Sequence, residues 1–98
     1  MSEHIGKTYT QVGGCFGLLH IVLMEKYGKG LLDLQTQDVA EVQDGDILEI
    51  GGTPGHCGVA VGANQVLHAD LERGVVIDAL RGPWTSANKI RILTNEQR

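Results

Sequence analysis

The chain has 98 residues, of which 42% are hydrophobic and 20% charged, and its net charge is −4. This length predicts a single domain over residues 1–98, and the composition is that of an ordinary globular protein. Because the balance is acidic and no basic stripe is present, we expect neither nucleic acid nor an anionic membrane as a partner. The two cysteines form no CxxC pair, so neither a disulfide framework nor a zinc clip is indicated, and we expect no cofactor and no resident metal.

The first residues predict no export signal. Residues 1–7 lack the apolar region of a signal peptide, and the longest apolar run is about half of the ~20 residues that a membrane span needs. We therefore expect a protein that is made in the cytoplasm without a signal peptide.

A glycine pair at 13–14 precedes a run, 15–24, in which almost every residue is apolar. This pattern predicts a helix that is buried on most sides and that ends near Gly28. Cys15 would lie at its N-terminus, where free backbone N–H groups and the helix dipole stabilise a thiolate. A cysteine in this position is either a nucleophile or a small core residue. The preceding residues 9–12 are expected to be extended or irregular.

Residues 31–42 are expected to form a loop with one short helical turn at 38–42. Beyond them the pattern changes to alternating and β-branched residues, which predict strands. The predicted strands are 47–50, 57–61, 65–69, 74–78 and 89–93. One helix packed on a small antiparallel sheet is an α+β fold.

Two histidines belong to one predicted hairpin. If residues 62–64 form a three-residue loop, Gly58 pairs with His68, and His56 is the diagonal neighbour of His68 on the same face. A loop of even length would place the two rings on opposite faces.

The same face of this strand carries small residues, Gly58 and Ala60, beside His56. Small residues permit close packing, so we expect the helix to dock on this face and to bring Cys15 towards His56. The opposite face, with Cys57, is interpreted as plain core.

These residues could perform nucleophilic catalysis. Cys15 would attack a carbonyl, His56 would act as the base, and His68 would orient His56. The backbone N–H of Cys15 would stabilise the oxyanion, with help from the Tyr9 hydroxyl. A zinc site formed by Cys15, His56 and His68 is the alternative for the same three residues.

The chain also resembles a known family. The stretches Gly-Gly-Cys-Phe-Gly-Leu at 13–18, Asp-Gly-Asp-Ile-Leu at 44–48, Gly-His-Cys-Gly-Val-Ala-Val-Gly at 55–62 and Val-Leu-His-Ala at 66–69 look like the NlpC-type cell-wall cysteine peptidases. They are most similar to the short members encoded by tailed bacteriophages. The resemblance covers residues 9–84, and 55–69 is its most specific part.

The resemblance implies a papain-like core and cleavage of peptidoglycan stem peptides, typically between γ-D-glutamate and the diamino acid. By position, Cys15 matches the family's nucleophile, His56 its base and His68 its third polar residue. Tyr9 matches a tyrosine that precedes the nucleophile in many members. The family usually has an acidic residue before the cysteine, whereas this chain has Gly14.

A phage origin would place the protein in the virion tail, acting at the cell wall, with tail proteins as possible partners. Two alternatives remain open. One is a structural tail protein that keeps the fold but has weakened activity. The other is an amide-directed transferase or deamidating toxin on the same core.

Overall fold

The computed structural model describes residues 2–51 and 55–93. Within them the chain forms an α+β fold with two α-helices and one antiparallel sheet of six strands. The helices are α1 (Tyr9–Val12) and α2 (Gly14–Tyr27). The strands are β1 (Gln35–Val39), β2 (Ile47–Ile50), β3 (His56–Val61), β4 (Gln65–Asp70), β5 (Gly74–Ala79) and β6 (Asn88–Leu93), in the sheet order β1-β6-β2-β3-β4-β5. Short 3₁₀ helices lie at Ser2–His4, Leu31–Asp33 and Gly82–Ser86.

The segment before the glycine pair is helical rather than extended. The Thr8 hydroxyl accepts a hydrogen bond from the Gln11 N–H at 3.2 Å, and the Gln11 side chain accepts one from the Thr8 N–H at 2.7 Å. This reciprocal capping box satisfies two N–H groups that a short helix would otherwise leave free. The expectation of an irregular lead-in at 9–12 was therefore wrong.

Helix α2 begins and ends where the glycines predicted. It starts at Gly14, and Gly28 ends it in the left-handed conformation (φ 71°), donating its N–H to the Met24 carbonyl. However, only one face of α2 is buried, because the sheet covers one side. Phe16 is 61% exposed and Met24 43% exposed, so the prediction of burial on most sides was wrong. No helix in the described ranges has the length and apolar character needed to cross a membrane.

All five predicted strands are present, each within one residue of its expected bounds. Strand β1 was missed, since residues 31–42 were expected to be a loop with a helical turn. Within the part of the chain that the structure describes, it is an edge strand that pairs with β6 alone, and four of its five side chains are exposed. A solvated edge strand needs no apolar alternation, so its sequence carries no strand signal.

The two faces of the sheet have separate cores. Helix α2 packs on the face that carries Cys57 and Val59, together with Leu67 and Val75. The other face carries a smaller cluster around Trp84, whose further members are Leu48, Ala60, Val66 and Ala87.

This arrangement corrects the expected docking of the helix. The predicted face with Gly58 does not receive α2. A β-carbon on Gly58 would lie 2.6 Å from Val66 Cγ2 and 3.2 Å from His68 Cβ, so this glycine makes room for side chains of the adjacent strand. The helix instead buries its apolar side chains against those of the opposite face, which removes more apolar area from water.

Candidate active site

The β3–β4 hairpin brings the two predicted histidines together. Gly58 pairs with His68, and Val61 with Gln65, so the connecting loop is residues 62–64 as predicted. Nε2 of His56 lies 2.9 Å from Nδ1 of His68, and the rings are almost perpendicular, at 87°. The predicted pairing of these two imidazoles on one face is therefore confirmed.

A third side chain, that of Asp78, is hydrogen-bonded to the histidine pair and was not predicted from the sequence. Nε2 of His68 lies 2.7 Å from Oδ2 of Asp78, and both Asp78 oxygens accept hydrogen bonds from Arg73, at 2.9 and 2.6 Å. The signal was present, because a second three-residue loop at 71–73 sets the β4–β5 register. That register pairs Asp78 with Val66, on the same face as His68.

The surroundings of this hydrogen-bonded series, His56–His68–Asp78, shift the pKa values of its two ends, His56 and Asp78. The Arg73 guanidinium, and secondarily His68, hold the pKa of Asp78 well below its usual range, so this side chain is a carboxylate. Burial, and next the proximity of His68, lower the pKa of His56 below its ordinary value of 6.5, while the Asp70 carboxylate opposes this shift. His56 is therefore neutral at neutral pH.

Trp84 covers the histidine pair. Its ring centroid lies 5.3 Å from that of His56 and 5.1 Å from that of His68, and the residue is only 7% exposed. The 3₁₀ helix Gly82–Ser86, with Pro83 in its first turn, positions the indole. The indole lies over the two rings, where it reduces their contact with water.

Cys15 occupies the first turn of α2, as predicted, but on the other side of the sheet from the imidazoles. Cys15 is 5% exposed and belongs to the core between α2 and the sheet, and its thiol contacts that of Cys57. Burial, and next the neighbouring Cys15, raise the pKa of the Cys57 thiol. In the described part of the chain, the hydrogen bonds of the two imidazoles go to each other and to Asp78, and none goes to Cys15.

The contact between the thiols nevertheless locates Cys15 along the sheet. Cys57 directly follows His56, the first residue of β3. Cys15 and His56 therefore lie at the same end of β3 and approach it from opposite faces. The face on which the helix docks was predicted wrongly, and the approach of Cys15 to His56 stays a prediction, because the neighbour shown for Cys15 is Cys57.

Tyr9 lies beside the start of α2. A β-carbon built on Gly14 would lie 3.0 Å from the Tyr9 hydroxyl oxygen, and Gly14 has a left-handed backbone (φ 80°). Both facts exclude a larger residue at this position without rearrangement. They give a physical reason why glycine stands where the resembled family has an acidic residue.

The alternative of a zinc site at Cys15, His56 and His68 conflicts with the hydrogen bonds of the histidines. Both nitrogens of His68 are already hydrogen-bonded, one to His56 and one to Asp78, so His68 offers no free lone pair in this arrangement. Another cluster is Glu3, His4 and Glu25, whose potential ligand atoms lie within 4.8 Å of one another. There, His4 is hydrogen-bonded to the Glu25 carboxylate at 2.9 Å, which accounts for the grouping.

No protein-family model matches the chain, and the search of curated proteins returns no match.

Proposed function

We propose that this chain is a cysteine peptidase with an NlpC-type, papain-like core, and that it hydrolyses peptidoglycan stem peptides. The observation that carries the proposal is the hydrogen-bonded series from Asp78 through His68 to His56. Such a series at the start of a strand is the arrangement that orients a catalytic base.

His56 is the base in this proposal. Its Nε2 is engaged by His68, which leaves Nδ1 as the atom that accepts a proton. Because the pKa of His56 is lowered by burial, the ring is neutral at neutral pH and its lone pair is available.

Cys15 is the nucleophile. Its place in the first turn of α2 puts it among free backbone N–H groups at the positive end of the helix dipole. Its contact with Cys57 brings it to the end of β3 where His56 begins the strand. A substrate carbonyl bound at this end of β3 would have the thiol and the imidazole on its two sides.

The reaction proceeds through a thioester. The Cys15 thiol proton passes to Nδ1 of His56, and Sγ forms a bond to the carbonyl carbon of the substrate. The amide C–N bond then breaks, and the leaving amine takes the proton from His56. Water attacks the thioester with His56 again accepting the proton, which releases the carboxylic acid and restores the thiol.

The oxyanion of the tetrahedral intermediates requires donors near Sγ. The backbone N–H of Cys15 is one, because the first N–H groups of a helix have no intrahelical partner. The Tyr9 hydroxyl, beside Gly14, is the second donor in this proposal.

The substrate class rests on the resemblance of residues 13–18, 44–48, 55–62 and 66–69 to the phage-encoded members of the NlpC-type peptidases. The same resemblance supports a place in the virion tail, from which the enzyme would act on the cell wall. Phage tail proteins are then its partners.

Digestion of purified peptidoglycan tests the proposal. The wild type, Cys15→Ala and Cys57→Ala are incubated with sacculi, and released muropeptides are identified by mass spectrometry. We expect release by the wild type and by Cys57→Ala, and none by Cys15→Ala, because only Cys15 lies at a helix start.

Three other outcomes would contradict it. Absence of release by all three proteins would support a structural protein with this fold. Equal release by the wild type and Cys15→Ala would remove the thiol from the mechanism. Transfer of the acyl group to an added amine in preference to water would support the transferase.

A further inference from the structure

The hydrogen bond between the two imidazoles can run in either direction. If His56 donates from Nε2, its Nδ1 is bare and can act as a base. If His68 donates from Nδ1, a neutral His56 carries its proton on Nδ1 and cannot. The distance of 2.9 Å between the two nitrogens fits both directions, so something outside the pair must select one.

Asp78 is placed to make this selection. An ionised carboxylate only accepts hydrogen bonds, and Oδ2 of Asp78 lies 2.7 Å from Nε2 of His68. His68 must therefore carry a proton on Nε2. In the neutral ring Nδ1 is then bare, so it accepts from Nε2 of His56.

Arg73 keeps Asp78 in this role. It donates to Oδ1 at 2.9 Å and to Oδ2 at 2.6 Å, a bidentate geometry that fixes the plane of the carboxylate. The loop that carries Arg73 is held in turn by Asp70, whose Oδ2 accepts the N–H groups of Glu72 and Arg73 at 3.0 and 2.9 Å.

We propose that Asp78, held by Arg73, is a positioning residue that sets the tautomers of His68 and His56, so that His56 presents an unprotonated Nδ1 to the thiol. This inference rests on the proposed function for its catalytic meaning. The tautomers themselves are a property of the folded protein and can be measured without any substrate.

The first measurement is spectroscopic. Histidine ¹⁵N shifts and the couplings to the ring protons distinguish a protonated nitrogen from a bare one, at a pH where both rings are neutral. In the wild type we expect His56 and His68 both to be protonated on Nε2. In Asp78→Asn the amide can donate as well as accept, so both tautomers of His68 and of His56 should be populated.

Glu72→Gln is the matched control. It removes one negative charge from the same exposed loop without touching His68 or Asp78, and it should leave the wild-type tautomers in place. Arg73→Gln gives an intermediate test, because the carboxylate remains but loses its bidentate support. It should keep the wild-type tautomer as the major form.

The second measurement is muropeptide release. Asp78→Asn should lower kcat by about 10- to 100-fold, the range expected for losing one hydrogen bond to a charged group, with KM nearly unchanged. Glu72→Gln should retain wild-type kcat. If the ion pair of Asp78 with Arg73 only supported the fold, Asp78→Asn would leave the tautomers of His56 and His68 unchanged.

The outcomes separate this inference from the proposed function. His56 protonated on Nδ1 in the wild type, or tautomers unchanged in Asp78→Asn, would overturn the inference whatever the activity. A tautomer shift in Asp78→Asn with unchanged kcat would also overturn it. An inactive wild type that shows the expected tautomers would support the assignment to Asp78 and contradict the peptidase.

Discussion

His56 and Cys57 are consecutive residues of β3, and their side chains lie on opposite faces of the sheet. The imidazole of His56 packs against His68 and Trp84, whereas the thiol of Cys57 contacts Cys15 below helix α2. The proposed base, His56, is thus followed directly in the chain by Cys57, the residue that contacts the proposed nucleophile, Cys15. The start of β3 is where the two halves of the mechanism would meet.

The two thiols should differ in reactivity, although both are buried. Cys57 is 1% exposed and its pKa is raised by burial and by Cys15, whereas Cys15 lies in the first turn of α2, at the positive end of the helix dipole. We expect iodoacetamide to label Cys15 at least about tenfold faster than Cys57 near neutral pH, a ratio that corresponds to about 1.4 kcal/mol. Peptide mapping by mass spectrometry gives the two rates.

The control for this experiment is Cys15→Ala, in which Cys57 should remain slow because burial, the largest cause of its raised pKa, persists when the smaller contribution of Cys15 is lost. Slow and equal labelling of both cysteines in the wild type would argue against an activated nucleophile.

Gly14 should be intolerant of any side chain. Its φ of 80° costs an L-residue roughly 1–2 kcal/mol, and a β-carbon would also press on the Tyr9 ring and hydroxyl. We expect Gly14→Ala to lower the free energy of unfolding by about 1 kcal/mol more than the backbone cost alone. Urea denaturation measures the difference.

Gly28 provides the matched comparison, since its φ is 71° and a β-carbon added there would have no atom of residues 2–51 and 55–93 within 4 Å. Gly28→Ala should cost only the backbone contribution. Equal losses of stability in Gly14→Ala and Gly28→Ala would show that Tyr9 does not restrict position 14.

The hairpins were predictable because short loops set their register. A three-residue loop at 62–64 was enough to pair Gly58 with His68 and to place His56 on the same face. The same reasoning at 71–73 would have found Asp78. Both inferences are local, since each joins two neighbouring strands.

The docking side of helix α2 could not be derived in this way. Either face of β3 offered a reasonable surface, one with small residues and one with apolar side chains. The choice depends on what occupies the face that carries His56 and His68, where Trp84, from a distant segment, packs over both rings. Such contacts are non-local, and alternation within a strand contains no information about them.

Gly58 should be as critical as the histidines that it accommodates. A β-carbon at this position would lie 2.8 Å from the Leu67 carbonyl oxygen and 3.2 Å from His68 Cβ. We expect Gly58→Ala to destabilise the protein by roughly 1–3 kcal/mol, the usual cost of overpacking. It should also lengthen the contact between His56 and His68.

Thermal unfolding and the histidine ¹⁵N spectrum test the two effects of Gly58→Ala. Gly51→Ala is the control, since its added methyl would meet no atom of the described residues within 4 Å. A Gly58→Ala protein with wild-type stability would mean that the β3–β4 contact adjusts without cost.

Trp84 should control the pKa of His56. Burial is the largest cause of the lowered pKa, and the indole lies over the ring at a centroid distance of 5.3 Å. Replacing Trp84 by Leu admits water, so we expect the pKa of His56 to rise towards 6.5. His56 acts as a base only when neutral, so the acid limb of kcat/KM should move to higher pH in Trp84→Leu.

An NMR titration of the His56 ring protons measures this pKa directly, and the pH profile of muropeptide release measures its consequence. Trp84→Phe is the conservative variant. Because it keeps an aromatic ring over the pair, it should shift the pKa less than Trp84→Leu does. An unchanged pKa in Trp84→Leu would mean that the sheet and not the indole excludes water from His56.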